Sequence, residues 1–418
     1  MADKLIEIKD NETERALLIS VDTGEFNAEA SIEELAQLAL TAGAEVEGMM
    51  VQKRPSVSVS TFVGTGRLEE ICSFCENNEI DIIIADGELT PVQVRNLEDK
   101  AGVRVIDRTT LILDIFAGRA RSAEGKIQVE LAQLKYSLPR LSGKGTGLSR
   151  LGGGIGTRGP GETKLETDKR HIRRRIQFLN AELDKIEKRR NAMHIRRQKN
   201  GVEAVAVVGY TNAGKSTLMN RLTQAGVLAE DKLFATLDPT ARRLTLKNGR
   251  EIMLIDTVGL ISRLPHQLVD AFRSTLEEAL WADVILNVCD ASNPECSAHT
   301  AVTQNLLDSL GCAGKPIINV LNKCDLVPNI LDYDLIGKSV RISAKTGYGI
   351  DELLEQIEKA LPQTRRRVRM LIPFDKGSIA GALRENGVVH SQEYTEKGIL
   401  IEATAEISFL EAIKEYIL

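Results

Sequence analysis

No apolar run in the 418-residue chain is long enough to cross a bilayer. The opening residues, MADKLIEIKDNETER, lack the apolar core of a signal peptide, so a cytoplasmic location is expected. Cysteine is sparse: six thiols, at 72, 75, 289, 296, 312 and 324, are too few for a disulfide framework at this length. Cys72 and Cys75 make a C-x-x-C. Leu68, Ile71, Cys72 and Cys75 nevertheless follow the i, i+3, i+4, i+7 stripe of a helix facing a core, and no second ligand pair lies nearby. The five histidines show no metal-ligand spacing either. An overall positive charge is also missing. Lys+Arg 54 against Asp+Glu 59 leave a net charge of -5, so any surface for a polyanion has to be local.

What is present is length for several domains. Short apolar runs at 16–21, 45–52, 81–85 and 103–106 alternate with helical stretches such as 31–42 and 91–100. That alternation predicts a parallel α/β domain over 1–119. Within it, TFVGTGRLEEI (61–71) reads as a strand-to-helix turn, in which Gly64 and Gly66 either cradle a phosphate or serve the turn alone. From 120 to 200 the pattern is that of two long helices. Ile127, Leu131, Leu134 and Leu138 share one face, and Pro139 then Gly143 are expected to end the first helix. In the second, Leu165, Ile172, Leu179, Ile186 and Met193 recur every seven residues, with Ile176 and Leu183 in the other seam. Such a pair packs antiparallel as an arm, with the connecting residues 141–163 at its tip. Residues 164–200 hold thirteen Lys/Arg against five Asp/Glu, a local excess of eight positive charges. The tip itself, LSGKGTGLSRLGGGIGTRGPGETK, is rich in glycine and basic residues. Together they predict an elongated cationic surface suited to RNA phosphates, with Lys144, Arg150 and Arg158 as candidate contacts.

Residues 201–362 return to β/α alternation and carry the chemistry. AVAVVGYTNAGKSTL places an apolar strand before Gly209-x-x-x-x-Gly214-Lys215-Ser216 and a helix after it. This is the context of a phosphate loop. The backbone from Gly209 through Tyr210, Thr211, Asn212 and Ala213 to Gly214 would wrap the β-phosphate. Lys215 would meet the β- and γ-phosphates, Ser216 would ligate Mg²⁺, and Thr217 follows on the helix. In EIMLIDTVG an apolar strand ends at Asp256, a candidate for the Mg²⁺ shell. Thr257 and Val258 lead to Gly259, whose N–H could meet the γ-phosphate. Phe234, Ala235 and Thr236 lie in LFATLDPT, with Thr236 placed to complete the metal's ligands. VLNKCD and ISAKTG name the base. Asp325 accepts from the ring N–H and exocyclic amine of guanine, whereas adenine presents an acceptor and no amine there, a difference of a kind that can discriminate ~10⁴-fold. Asn322 would tie the loops together, Lys323 would lie along the base beside Cys324, and Ser343, Ala344 and Lys345 would close over its carbonyl. GTP with Mg²⁺ is the expected ligand. The position after the DxxG glycine, where many GTPases carry a water-orienting glutamine, is Leu260, which predicts slow intrinsic turnover.

These motifs, with DRTTLILDIFAGRA and GGGIGTRGPGETKLETDKR, resemble the HflX-type GTPases of the translation-factor-related class over nearly the whole chain. The resemblance implies an α/β multidomain protein. Its parts would be an N-terminal parallel α/β domain, an antiparallel helical-hairpin arm and a GTPase domain over 201–362 with a mixed sheet flanked by helices, while strand-like runs at 367–373, 388–394 and 398–403 and helical ones near 377–386 and 407–417 predict a small α+β module over 363–418. It implies binding to the large ribosomal subunit and separation of stalled or stressed ribosomes, with the glycine loop pointing into the peptidyl-transferase region. The family usually has phenylalanine where Leu260 stands. Asn212 resembles the asparagine with which potassium-activated GTPases hold K⁺, so K⁺ could assist Lys215, Thr236 and Gly259 in stabilising charge on the transferred phosphoryl. A simple turn residue is the other reading. A monomer is expected. Two other functions stay open, a GTPase of ribosome assembly and a nucleotide-gated RNA-remodelling module that also binds ATP at TFVGTGRLEE.

Overall fold

The computed structural model describes residues 13–141, 164–199, 202–223, 233–234, 239–263, 277–327, 339–362 and 365–418. They fall into two compact units, Met1–Glu358 and Lys359–Leu418. In the first, β1 (Arg15–Asp22), β2 (Glu45–Lys53), β3 (Ile82–Ala85) and β4 (Arg104–Asp107) form a parallel sheet in the order β2-β1-β3-β4. The strands are continuous apolar runs because both faces are covered. Ala16 and Leu18 of β1 face one core, and Leu17 and Ile19 the other. Helix α1 (Ala28–Ala42) starts on an Asn27 side-chain cap and ends on left-handed Gly43. Helices α2 (Thr65–Asn77), α3 (Pro91–Ala101) and α4 (Arg108–Arg119) complete the layers. Since β1 leads outward to β2 and β3 outward to β4, the chain reverses direction between β1 and β3. In sheets of this kind that is where a ligand crevice forms.

The turn at 61–66 is tied down by contacts within the chain. Phe62 and Val63 are buried in the core beside α2. The N–H of Gly64 is taken by Gln52 Oε1 at 2.8 Å, and Arg54 crowds the same residue. The C-x-x-C lies on α2, with Cys75 in the core and Cys72 half-buried, its thiol donating to the Lys100 carbonyl at 3.4 Å. Burial pushes the Cys75 thiol up to about 11.

Helices α5 (Ala123–Arg140) and α6 (Lys164–Lys199) form the arm. Arg175 pairs with Glu130, and Arg190, further along α6, pairs with the earlier Glu124, so the two run antiparallel. Two details differ from the sequence reading. Pro139 sits inside α5, which continues to Arg140. In α6 the seven-residue stripe fails at its end: Met193 is 65% exposed and His194 is buried in its place. A straight helix drifts ~20° per heptad against a strict repeat, so after four heptads the neighbouring position has rotated inward.

The sheet of the third segment has the order β10-β9-β8-β5-β7-β6. Its strands are β5 (Glu203–Gly209), β6 (Thr240–Thr245), β7 (Glu251–Asp256), β8 (Val284–Asp290), β9 (Ile317–Asn322) and β10 (Ser339–Arg341). The β6–β7 pair is antiparallel and the others are parallel, so the sheet is mixed. Helices α7 (Lys215–Thr223), α8 (Cys296–Ser309) and α9 (Ile350–Ala360) follow β5, β8 and β10. Every residue of central β5 is buried. One core holds Leu18, Ile112 and Phe116 of the N-terminal segment together with Tyr210, Phe234, Val258 and Leu260.

The second unit is a three-stranded antiparallel sheet, β11 (Arg365–Ile372), β13 (Gly398–Glu406) and β12 (Gly387–Thr395) in that order. Helices α10 (Gly377–Asn386) and α11 (Ile407–Ala412) accompany it. Its core gathers Val368, Met370, Leu383 and Ile401. No helix among the described residues is long and apolar enough to cross a membrane.

Candidate nucleotide site

Three strands deliver the site to the carboxyl end of the mixed sheet. β5 runs into the loop 209–216 at Gly209, whose φ is +150° and whose missing Cβ would lie 2.1 Å from the Val288 carbonyl oxygen. At Gly214, φ +88°, a Cβ would come 2.2 Å from Asn322 Nδ2. Only glycine fits either position. Asn212 also has a left-handed backbone, φ 59°, and is exposed, which gives it a conformational reason to be asparagine. Lys215 opens α7. Its ammonium donates to the carbonyls of Gly209 at 3.0 Å and Tyr210 at 2.9 Å and is buried beneath the loop. Burial pushes it down to about 8, with the Asp256 charge pulling the other way. Thr217 follows, half-buried, one residue after Ser216.

Ser216 Oγ donates to Asp256 Oδ2 at 3.3 Å, bringing a hydroxyl and a carboxylate oxygen together at the end of β7. Hard oxygen donors of this kind suit Mg²⁺. Thr257 is fixed by two bonds to the Val207 carbonyl, from its N–H at 3.2 Å and its hydroxyl at 2.9 Å. Val258 is buried. Gly259 lies so close to the loop that a Cβ would come 2.7 Å from Thr211 Cγ2 and 3.1 Å from Lys215 Nζ. Leu260 then bridges back, its N–H donating to Gly209 O at 3.1 Å and its carbonyl accepting from Thr211 N at 2.7 Å. The Leu260 side chain turns into the shared core.

At the end of β9, Asn322 Nδ2 donates to Ala213 O at 2.8 Å and its Oδ1 accepts from Ala344 N at 2.9 Å, joining three loops through one amide. Lys323, at φ 63°, pairs its ammonium with Asp290 at 2.8 Å. The Cys324 thiol donates to Leu321 O at 3.1 Å. Asp325 stays exposed. Ser343 holds its own turn, with its Oγ accepting from Thr346 N at 3.1 Å and its carbonyl from Gly347 N at 2.8 Å, and Lys345 is exposed beside it. The arrangement offers an anion cradle, an oxygen pair for a divalent cation and a carboxylate for a base edge.

Other predicted residues stand elsewhere. Phe234 has a left-handed backbone, φ 55°, and its ring packs edge-on against Phe116 with centroids 4.6 Å apart, so only its backbone remains for a ligand. The Tyr210 side chain likewise leaves the loop, stacks on His299 with ring centroids 3.7 Å apart and donates to Glu34 at 2.5 Å. Ala235 and Thr236, and with them Lys144, Arg150 and Arg158, lie outside the described residues. Sequence reasoning missed the charged cluster that Glu34 belongs to, with Asp86, Arg108, Ser262 and Arg263. Each is an ordinary charged or hydroxyl residue in its own segment, and no local pattern joins them.

A phosphate loop on a parallel strand, a DxxG segment and an NKxD carboxylate define a P-loop GTPase, and comparison with known proteins narrows the class. Residues 29–117 match the family described as "GTP-binding GTPase N-terminal", 119–197 "GTP-binding GTPase Middle Region" and 204–323 "50S ribosome-binding GTPase". The chain is 50% identical over 405 residues to GTPase HflX of Caldanaerobacter subterraneus subsp. tengcongensis, covering 97% of this chain and 94% of that one. It is 48% identical to GTPase HflX of Lacrimispora saccharolytica, covering 96% and 95%, and 39% identical to GTPase HflX of Escherichia coli, covering 92% of each. The chain belongs to the HflX family and is a GTP-binding, GTP-hydrolysing enzyme.

Proposed function

We propose that this GTPase binds the large ribosomal subunit through its arm and separates stalled or stressed ribosomes in the cytoplasm under control of its nucleotide. The observation that carries the reading is the root of the arm. Arg190 of α6 joins Glu124 of α5 at 2.7 Å and Glu277 at 2.6 Å, and His194 stacks on Trp281 with ring centroids 5.1 Å apart and 4° between planes. Residues 277–281 are helical and lead directly into β8, so a cationic lever of 36 residues is fixed to the GTPase sheet. The "50S ribosome-binding GTPase" description of the matched family supports the same partner.

In this reading Gly209 to Thr217 hold the phosphates, Lys215 and the Gly259 N–H meet the γ-phosphate, and Asp325 takes the guanine edge with Ser343, Ala344 and Lys345 closing over it. Ser216 and Asp256, with Thr236, would hold Mg²⁺, which when bound neutralises phosphate charge. K⁺ beside Asn212 would add a further cation. Lys144, Arg150 and Arg158 would meet rRNA.

Sucrose gradients test the proposal. Intact ribosomes incubated with the protein and a non-hydrolysable GTP analogue are expected to separate into subunits, with the protein on the larger one. An undiminished ribosome peak would overturn splitting, and co-sedimentation confined to immature particles would transfer the function to assembly.

A further inference from the structure

The reversal point of the N-terminal sheet, where folds of this type take a ligand, is filled from within the chain. Arg263, four residues after Gly259, reaches between the carboxyl ends of β1 and β3. Its Nη1 donates to Asp86 Oδ2 at 3.2 Å and to Ser31 Oγ at 2.9 Å, and its Nη2 donates to the Asp86 carbonyl at 3.1 Å. The guanidinium lies over the Phe26 ring, 3.8 Å from its centroid. The receiving carboxylate is built in: the Asp86 side chain has no exposed surface, and it also accepts from Ser20 Oγ at 3.0 Å and Arg108 Nη1 at 3.0 Å.

Arg108 carries the cluster onward. Its Nη2 pairs with Glu34 and donates to the Ser262 carbonyl at 3.2 Å. Glu34 accepts from the Ser262 hydroxyl at 2.6 Å and from the Tyr210 hydroxyl at 2.5 Å, and the Ser262 N–H bonds the same Tyr210 oxygen. Two carboxylates, Asp86 and Glu34, are thus balanced by two guanidiniums, Arg108 and Arg263. Without Arg263 the crevice would hold one uncompensated negative charge. Arg263 also keeps a left-handed backbone, φ 52°, a strained conformation for a side-chain-bearing residue that persists only where surrounding contacts determine it.

We propose that this crevice is a binding site for a planar guanidinium cation, occupied by Arg263, and that Arg263 is a positioning residue for the Gly259–Leu260 segment of the nucleotide site. The chemistry selects the class. A forked donor reaching a carboxylate and a carbonyl while stacked on an aromatic face suits a guanidinium and disfavours a compact, strongly hydrated ammonium. A nucleotide phosphate brought here would meet Asp86 and Glu34, so the crevice is unsuited to ATP.

The full chain carrying Arg263→Ala tests this without ribosomes, so its failure is separate from a failure of ribosome splitting. The variant is expected to lose about 3–6 °C in Tm. Methylguanidinium chloride at millimolar concentration should return at least about 2 °C, saturably, although guanidinium salts ordinarily lower Tm. Methylammonium chloride at equal ionic strength should return nothing, and adding Asp86→Asn should abolish the response. Amide exchange in the peptide 257–263 should rise in the variant and fall again over the same methylguanidinium range, with kcat for GTP moving back toward wild type and KM little changed. A folded variant that ignores methylguanidinium, or answers methylammonium equally, overturns the site. Recovery of Tm with no recovery of exchange in 257–263 overturns the positioning role. Should Arg263→Ala not fold, Arg263→Gln, which retains most of the side-chain bulk, is titrated in the same way.

Discussion

At the carboxyl end of β5 a lysine waits beneath two glycines. At the carboxyl ends of β1 and β3 an aspartate and a glutamate are already met by two arginines. In both sheets the strands that carry these residues run parallel to their neighbours, β1 to β3 and β5 to β8, and both have a glycine-containing turn running into a helix, at 209–216 and at 64–66. The difference lies in what the backbone is forced to do. Gly209 and Gly214 have positive φ and no room for a Cβ, whereas Gly66 has no neighbouring atom within 4 Å of where a Cβ would stand. Glycine spacing alone therefore does not make a phosphate site. Compressed, left-handed backbone over a buried ammonium does, and a crevice lined with carboxylates recruits a cation.

The widest separation between the two turns is expected from alanine at each. In Gly214→Ala the new methyl would push against Asn322 Nδ2, whose amide also holds Ala213 and Ala344, so the phosphate and base loops should loosen together. GTP affinity by calorimetry is expected to fall at least about 100-fold, or about 3 kcal/mol. Gly66→Ala, inside the first turn of α2, should leave GTP affinity within about twofold and gain up to about 1 kcal/mol of stability from helix propensity. Comparable losses of GTP binding in both variants would erase the distinction.

Next in size is the contrast between two aspartates. Asp86 is buried and paired inside the chain, whereas Asp325 is exposed and makes no ion pair among the described residues. Asp325→Asn should cost GTP about 100-fold, because an amide meets the guanine N–H with a donor of its own. Xanthosine triphosphate, which has a carbonyl where guanine has its amine, should recover much of that loss. Unchanged GTP affinity would remove Asp325 from the base contact.

The nucleotide side of this comparison was legible in the sequence because each part is a contiguous run at a strand end. Residues 209–217, 256–259, 322–325 and 343–345 need only the strand before them to be placed. The charged crevice was not legible for the opposite reason. Ser31 and Glu34 sit on α1, Asp86 after β3, Arg108 at the start of α4, and Ser262 and Arg263 after β7, with partners up to 232 residues apart. Nothing in one-dimensional spacing links them. Tyr210 illustrates the divide within one motif, since its place in the loop was readable while its side chain answers to Glu34. Leu260 was recognised as unable to orient water, yet its burial beside Phe116 and Ile112 depends on the N-terminal segment packing there. The N-terminal strands were readable as continuous apolar runs. The register of α6 was not, because the drift between 3.5 and 3.6 residues per turn accumulates along a long helix.

The smallest effect separates the two cations by titration. Lys215 lies near 8 in the free protein because burial opposes its charge, and Asp256 only partly offsets that. Phosphate favours the ammonium, so the lysine in the complex titrates above the free form. Well below pH 8 both forms are protonated and GTP affinity should be flat. Above it, binding must take up a proton, and affinity should fall by up to about tenfold per pH unit until the lysine in the complex itself titrates. Calorimetry in buffers of different ionisation enthalpy counts that proton directly. In Lys215→Arg the guanidinium does not titrate in this range, so the slope should largely vanish even if affinity is lower. The Asp86 crevice, filled by Arg263, should show no such window, and methylguanidinium binding to Arg263→Ala should be the same at pH 7.5 and 9. A proton uptake that persists in Lys215→Arg would place the titrating group elsewhere and break the assignment of the two charges to their two sheets.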